Sequence, residues 1–231
     1  MNHGFEAILR PCQFEAMTAT FAEWIAPLSL ADFRAKAAAA RLFPITGALG
    51  GGANAPLPWT LIERLQYEDV VQADHFYLGL RGVAVPKSVY RNPAGALRPG
   101  VVRQFVEKGA NVVFDRIEQY VPEIDKVAAE LASALNARVG VNAYLTFGPV
   151  SVFFPHADEH NVLAVQLYGA KNWLFYDGPQ ATTPGAEQML RPGHLLFVPK
   201  GQIHEAVPLE TPRSEEHTSE LQSLAYLVCR L

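Results

Sequence analysis

From residue 139 onward the hydrophobic pattern shortens to a strand period, and no other feature of this sequence constrains its fold as tightly. Residues 139–147, 150–158, 162–168, 171–176, 194–199 and 203–207 each read as a short run of apolar, β-branched or aromatic side chains. Gly148-Pro149, Gly169-Ala170, Asp177-Gly178-Pro179, Pro192-Gly193 and Lys200-Gly201 separate them with turn chemistry. Short strands with turns and no intervening helix predict an antiparallel β-barrel or jelly roll.

Upstream the period is mostly helical. Phe14, Met17, Phe21, Trp24 and Ile25 predict a helix over residues 13–26. Ser29, with Asp32 three residues on, is an N-cap for a second helix reaching Leu42. Pro44-Ile45 reads as a short strand entering the glycine-rich stretch 47–52, which has no G-K-[ST] and so reads as a surface loop. Short helices follow at 57–65 and 101–107, with strands at 75–80, 82–85 and 110–114. Asp115-x-x-Glu118 has the form of a capping box. Pro122 opens the strongest helical stripe, Ile124, Val127, Ala128, Leu131 and Leu135, and Asn136 closes it. The expected fold is mainly β with α: a helical and strand region over 1–138 packed outside a barrel core at 139–212.

The 231 residues suffice for one domain with a substantial core. Net charge is −4 with no basic run, so the footprint of a nucleic-acid binder is missing. No apolar run approaches a membrane span, and the start carries no basic region leading into an apolar one. Cys12 and Cys229 make neither a disulfide framework nor a zinc spacing. A cytoplasmic location is expected. Residues 213–223 read as the in-frame translation of a common sequencing adapter, which makes 213–231 a non-native tail and the barrel a truncated one. On that reading a natural last strand is missing and an unpaired barrel edge is expected.

Chemistry concentrates in Pro155-His156-Ala157-Asp158-Glu159-His160 and in Gly201-Gln202-Ile203-His204. Strand side chains alternate faces, so His156 and Asp158 share one, roughly 6.6–6.8 Å apart at Cα. His160 shares that face but lies roughly 13 Å from His156 on an extended strand, too far for one ion. A third ligand must come from another strand, and His204 is the candidate. Two histidines and one carboxylate form the facial set that holds ferrous iron with coordination positions open.

Four pieces carry a resemblance: N-A-Y-L-T at 142–146, P-H-A-D at 155–158, Q-L-Y-G-A-K-N-W at 166–173 and R-P-G-H-L-L-F-V-P-K-G-Q-I-H-E-A at 191–206. Together they resemble the JmjC-type cupin oxygenases, most nearly the ribosomal-oxygenase branch. The resemblance implies a double-stranded β-helix and an enzyme using Fe(2+) and 2-oxoglutarate. It implies iron on His156, Asp158 and His204, and the distal carboxylate of 2-oxoglutarate on Lys171. Asn142 and Tyr144 would line the pocket. A hydroxylated protein side chain, a ribosomal one on this likeness, is the implied substrate, and a C-terminal region of such enzymes mediates homodimers.

Bland readings stand beside these. Lys171 is alternatively a solvated hairpin lysine, and Tyr144 a core ring with its hydroxyl satisfied. His160 is expected at the rim of the site and His194 as a partner for loop backbone, while His75 and His3 have no partner in the sequence. Trp173, Phe175, Phe153 and Phe154 are expected in the barrel core. Two other functions fit the same motifs: a non-catalytic metal-binding cupin module, or a metal cupin enzyme that needs no cosubstrate.

Overall fold

The helices begin where capping chemistry places them. The computed structural model describes residues 20–46, 59–151, 153–209 and 224–231. Within it, Thr20 and Glu23 exchange hydrogen bonds to cap the one-turn helix α1 (Phe21–Trp24). Ser29 Oγ accepts the Asp32 amide at 3.1 Å and opens α2 (Leu30–Ala38). That helix stops short of the expected Leu42 because Ala40 sits in left-handed backbone, φ 48°, where a right-handed helix cannot continue. Helices α3 (Trp59–Tyr67), α4 (Lys87–Tyr90), α5 (Pro99–Glu107) and α6 (Pro122–Leu135) follow. Asn136 ends α6 at φ 49°, a conformation asparagine tolerates. Residues 13–19 of the first expected helix, the 47–52 loop and His3 lie outside the described residues.

Eleven strands are seen among the described residues: β1 (Phe43–Ile45), β2 (Phe76–Leu80), β3 (Val83–Ala84), β4 (Asn111–Phe114), β5 (Gly140–Thr146), β6 (Val162–Tyr168), β7 (Lys171–Tyr176), β8 (Ala186–Leu190), β9 (Leu195–Val198), β10 (Ile203–Pro208) and β11 (Leu224–Arg230). They form an eight-stranded sheet, β1-β9-β6-β11-β5-β4-β2-β3, and a three-stranded sheet, β10-β7-β8. Every pairing is antiparallel.

Strand alternation divides the apolar residues between two cores. Leu163, Val165 and Leu167 of β6 pack with Phe197, Leu145 and the buried helix residues Phe21, Phe33, Leu131 and Val102. Val162 and Ala164, pointing the other way, pack with Trp173, Phe175, Leu196 and Val198 between the two sheets. Strand β6 is therefore buried on both faces. Phe33 meets Phe21, Phe43 and Phe197 edge-on at 5.3–6.3 Å, which fastens α1, α2 and β1 onto β9. Each such ring contributes about 1.5–3 kcal/mol by burial.

Several expectations change. The capping box at Asp115 does not form: Ile117–Gln119 make a single 3-10 turn whose N-cap, Arg116, is left-handed at φ 55°. The Glu118 carboxylate accepts the Val141 amide instead, at 2.9 Å. Among the described residues of 150–158 no regular strand forms, and His156 makes an isolated bridge to His204. β8 was not expected. Residues 224–230 pair with both β5 and β6, so the unpaired edge expected there is filled, with Leu227, Val228 and Cys229 buried. Among the described residues, no helix is long and apolar enough to cross a membrane.

Candidate metal centre

His156 and His204 are brought together by main chain before any side chain is considered. Their backbones exchange two hydrogen bonds, 3.1 and 2.8 Å long, and the imidazole centroids lie 4.7 Å apart. Asp158 joins them through the turn ahead of β10. Its carbonyl accepts the Gly201 amide at 3.0 Å, and Gly201 has φ 82°, a conformation that glycine adopts at no steric cost.

Each ring is held by one nitrogen. His156 Nδ1 bonds Phe154 O at 2.8 Å, and His204 Nδ1 bonds Gln202 O at 2.9 Å. As donors to carbonyls, both leave Nε2 as the free lone pair, the arrangement that orients imidazole as a metal ligand. His204 Nε2 stands 3.6 Å from Asp158 Oδ2. Burial pushes the His204 imidazole below its ordinary value, with the neighbouring His156 adding in the same direction. The contact is accordingly a neutral imidazole beside a carboxylate, and neutral imidazole is the form that binds metal. One ligand atom from each of His156, Asp158 and His204 lies within 4.8 Å of the others. Two imidazole nitrogens and one carboxylate oxygen suit a divalent first-row metal and leave positions open.

These three residues line a cavity of about 330 Å³ between the sheets, with Asn142, Tyr144 and Trp173 on its wall. Asn142 Nδ2 donates to Tyr144 Oη at 3.1 Å, and Asn142 Oδ1 accepts the Arg116 amide at 3.2 Å. Burial pushes the Tyr144 phenol upward, so it stays protonated. His160 also lines the cavity: the backbone bends at 159–160 instead of running extended, which brings the ring to the rim.

Lys171 is fully buried at 0% exposure, not a solvated hairpin lysine, and donates to Thr146 Oγ1 at 2.8 Å. Thr146 lies one same-face step beyond Tyr144 on β5, about 6.7 Å further along. Lys171 therefore sits past the phenol and is not part of the cavity wall. Burial pushes its amine well below the ordinary lysine value.

The aromatic residues divide. Trp173 and Phe175 are buried, whereas Phe153 and Phe154 are 47% and 66% exposed, which corrects their placement in the core. His75 has a partner after all, Tyr120 Oη at 2.7 Å. At His194 it is the main chain that serves the loop, donating to Arg191 O and accepting from Gln166, while ring Nδ1 is without a partner. Sequence reasoning missed Asp115 and Arg230 on the cavity wall. Their 3.2 Å ion pair spans 115 positions, a separation no local pattern reveals.

Two facing antiparallel sheets hold between them a His-x-Asp…His cluster of metal-ligating residue types. Residues 116–226 match the JmjC domain family. In sequence the chain is 29% identical over 153 residues to the bifunctional lysine-specific demethylase and histidyl-hydroxylase NO66 of Drosophila sechellia, covering 58% of this chain and 23% of that protein. It is 27% identical over 159 residues to ribosomal oxygenase 2 of Mus musculus, covering 63% and 34%. In structure it resembles YcfD, a ribosomal oxygenase from Escherichia coli solved with cobalt and 2-oxoglutarate, with TM-score 0.55, 15% identity and coverage of 83% and 48%. The chain thus spans at most about a third of these sequence relatives and about half of that solved chain.

Proposed function

We propose that this chain is an Fe(2+)- and 2-oxoglutarate-dependent oxygenase that hydroxylates a protein side chain. The carrying observation is the convergence of His156, Asp158 and His204 within 4.8 Å of one another in a cavity between two sheets. The names of the relatives support a ribosomal protein as substrate, and a cytoplasmic setting and pairing of two copies belong to the same reading.

In this reading His156, Asp158 and His204 would hold the iron through two nitrogens and one oxygen. Bound iron would let 2-oxoglutarate and dioxygen react, one oxygen atom passing into a substrate C–H bond and the other into succinate as the keto acid loses carbon dioxide. The protein supplies position and dryness. Lys171 would receive the distal carboxylate: desolvation lowers the proton affinity of the buried amine, an arriving anion raises it again, and the pair offsets the burial cost of both charges. Asn142 fixes the phenol oxygen of Tyr144 and so turns the phenol toward the cavity. Trp173, Val162 and Val228 exclude water around the metal ligands.

One observation favours a second reading. Lys171 lies outside the cavity wall, as it would in a metal cupin that uses no cosubstrate or performs no turnover. Anaerobic titration with Fe(2+) and then 2-oxoglutarate separates the two, with His156→Ala, His204→Ala and Lys171→Ala alongside. Lys171-dependent 2-oxoglutarate binding and succinate formation support the oxygenase. Iron binding with no effect of 2-oxoglutarate overturns it.

A further inference from the structure

The two cavity histidines are not braced alike. His204 lies flat against the indole of Trp173, ring centroids 5.3 Å apart and planes 21° from parallel. His156 instead meets Phe153 at a steep angle, 5.3 Å and 62°. Trp173 is 2% exposed, whereas Phe153 is 47% exposed. One imidazole therefore rests on a packed wall and the other on a side chain open to solvent.

The stack follows from register. Trp173 on β7 pairs with Ala206 on β10, and His204 pairs with Phe175. Residues two apart on one strand share a face, so His204 is the diagonal neighbour of Trp173, within aromatic reach. The methyl group of Ala206 leaves the indole room to lean toward residue 204. With Nδ1 fixed by Gln202 O at 2.9 Å, the ring's edge is held by one contact and its plane by the other.

We infer that Trp173 is a positioning residue: it sets the plane of the His204 imidazole and favours that ring in its metal-bound form. An imidazole that donates its lone pair to a cation becomes electron-poor, and the negative face of an indole stabilises an electron-poor ring laid over it. A phenyl ring keeps this contact in weaker form and an alkyl chain removes it. The inference rests on the metal reading of the site. It also makes the Trp173 fluorophore a direct neighbour of a ligand, so its emission reports occupancy.

The test uses the full chain with Co2+ alone as the probe. Calorimetry, the visible Co2+ absorption band and tryptophan emission are recorded for the unsubstituted chain, Trp173→Phe and Trp173→Leu, with circular dichroism as the folding control. Expected is Co2+ binding that quenches emission in step with calorimetric saturation. Trp173→Phe should stay within about threefold in affinity and lose the quench, although Trp24 and Trp59 remain. Trp173→Leu should bind about 10–100-fold more weakly, with the band shifted. Trp173→Leu folded, equal in affinity and unchanged in spectrum overturns the inference and leaves the metal site standing. A quench of undiminished depth in Trp173→Phe overturns it as well, and decides the matter should Trp173→Leu not fold. No Co2+ binding by the unsubstituted chain overturns the metal reading and this inference with it.

Discussion

His156 and His204, forty-eight residues apart in sequence, donate their backbone amides to each other's carbonyls at 3.1 and 2.8 Å. Such a doubly bonded antiparallel pair fixes two Cα atoms about 5.5 Å apart. Main-chain bonds therefore bring these two imidazoles together.

Binding to a prebuilt site stabilises the folded state and not the unfolded one. At a hundred times the dissociation constant the gain is about 2.7 kcal/mol, and for a domain of this size each kcal/mol raises Tm by about 2–4 °C. Differential scanning fluorimetry with Co2+ should show that rise in the unsubstituted chain and none in His204→Ala. Its metal-free Tm should fall modestly, since the backbone pair survives the substitution. An equal metal-induced rise in both would place the ion elsewhere.

Lys171 gives a pH signature. Its folded-state pKa is depressed by burial, so over the interval up to the ordinary lysine value, about 10.4, the unfolded chain holds the extra proton. Stability then rises with pH across that interval, by at most about 1.4 kcal/mol per pH unit. Urea unfolding from pH 7 to 10 should show the unsubstituted chain gaining on Lys171→Met, a swap of similar volume expected to cost less than about 1.5 kcal/mol where the pH penalty vanishes. Parallel curves would mean the amine is charged in the folded protein. The same substitution should weaken 2-oxoglutarate binding by at least about tenfold through loss of a charge-assisted bond.

Two glycines near the site should respond oppositely to what their backbone angles alone suggest. Gly201 has φ 82°, but a Cβ there would meet nothing within 4 Å, so Gly201→Ala costs only backbone strain, about 1–2 kcal/mol. A Cβ on Gly148 would fall 2.6 Å from the carbonyl oxygen of Gly109, so Gly148→Ala must push two main chains apart. Chemical denaturation should rank Gly148→Ala as the more destabilising, while Gly201→Ala, through the bond from Gly201 to Asp158, should show the larger loss of Co2+ affinity. The reverse order in both measurements would sink this account.

Strand β11 predicts both a truncation effect and a silent thiol. Removing residues 213–231 bares the edges of β5 and β6 and should lower Tm and promote aggregation. Burial pushes the Cys229 thiol up to about 12, so it should resist a thiol reagent until the sheet opens. Labelling kinetics at pH 8 that match global unfolding would agree, and immediate labelling in the folded state would not.

Helix α6 and the Ser29 cap were legible because their signals are local: a proline, a stripe and a terminal asparagine; a serine and the amide three residues on. Most strands from 139 onward were legible by alternation. β8 was not, because Ala186, Glu187 and Met189 are exposed and leave no apolar rhythm. The expected convergence of His156, Asp158 and His204 was argued from an extended strand, whereas the three meet through an isolated bridge between His156 and His204. His160 lines the cavity, as expected of a rim residue, but reaches it through a bend at 159–160 and not along an extended strand. Contacts closing over long separations, such as Asn142 with Arg116 and Lys171 with Thr146, required the sheet itself.

A strand enclosed on both sides cannot respond to one neighbour alone. Leu163 and Val165 of β6 look toward the helices, while Val162 and Ala164 look toward the second sheet, Val162 on the cavity wall. One added methylene beneath α2 or α6 thus has only a rigid partition to press on, and the partition is one wall of the cavity. Substitutions far from the site, among residues that never meet a substrate, gain through this shared wall a mechanical route to altering what the chamber admits.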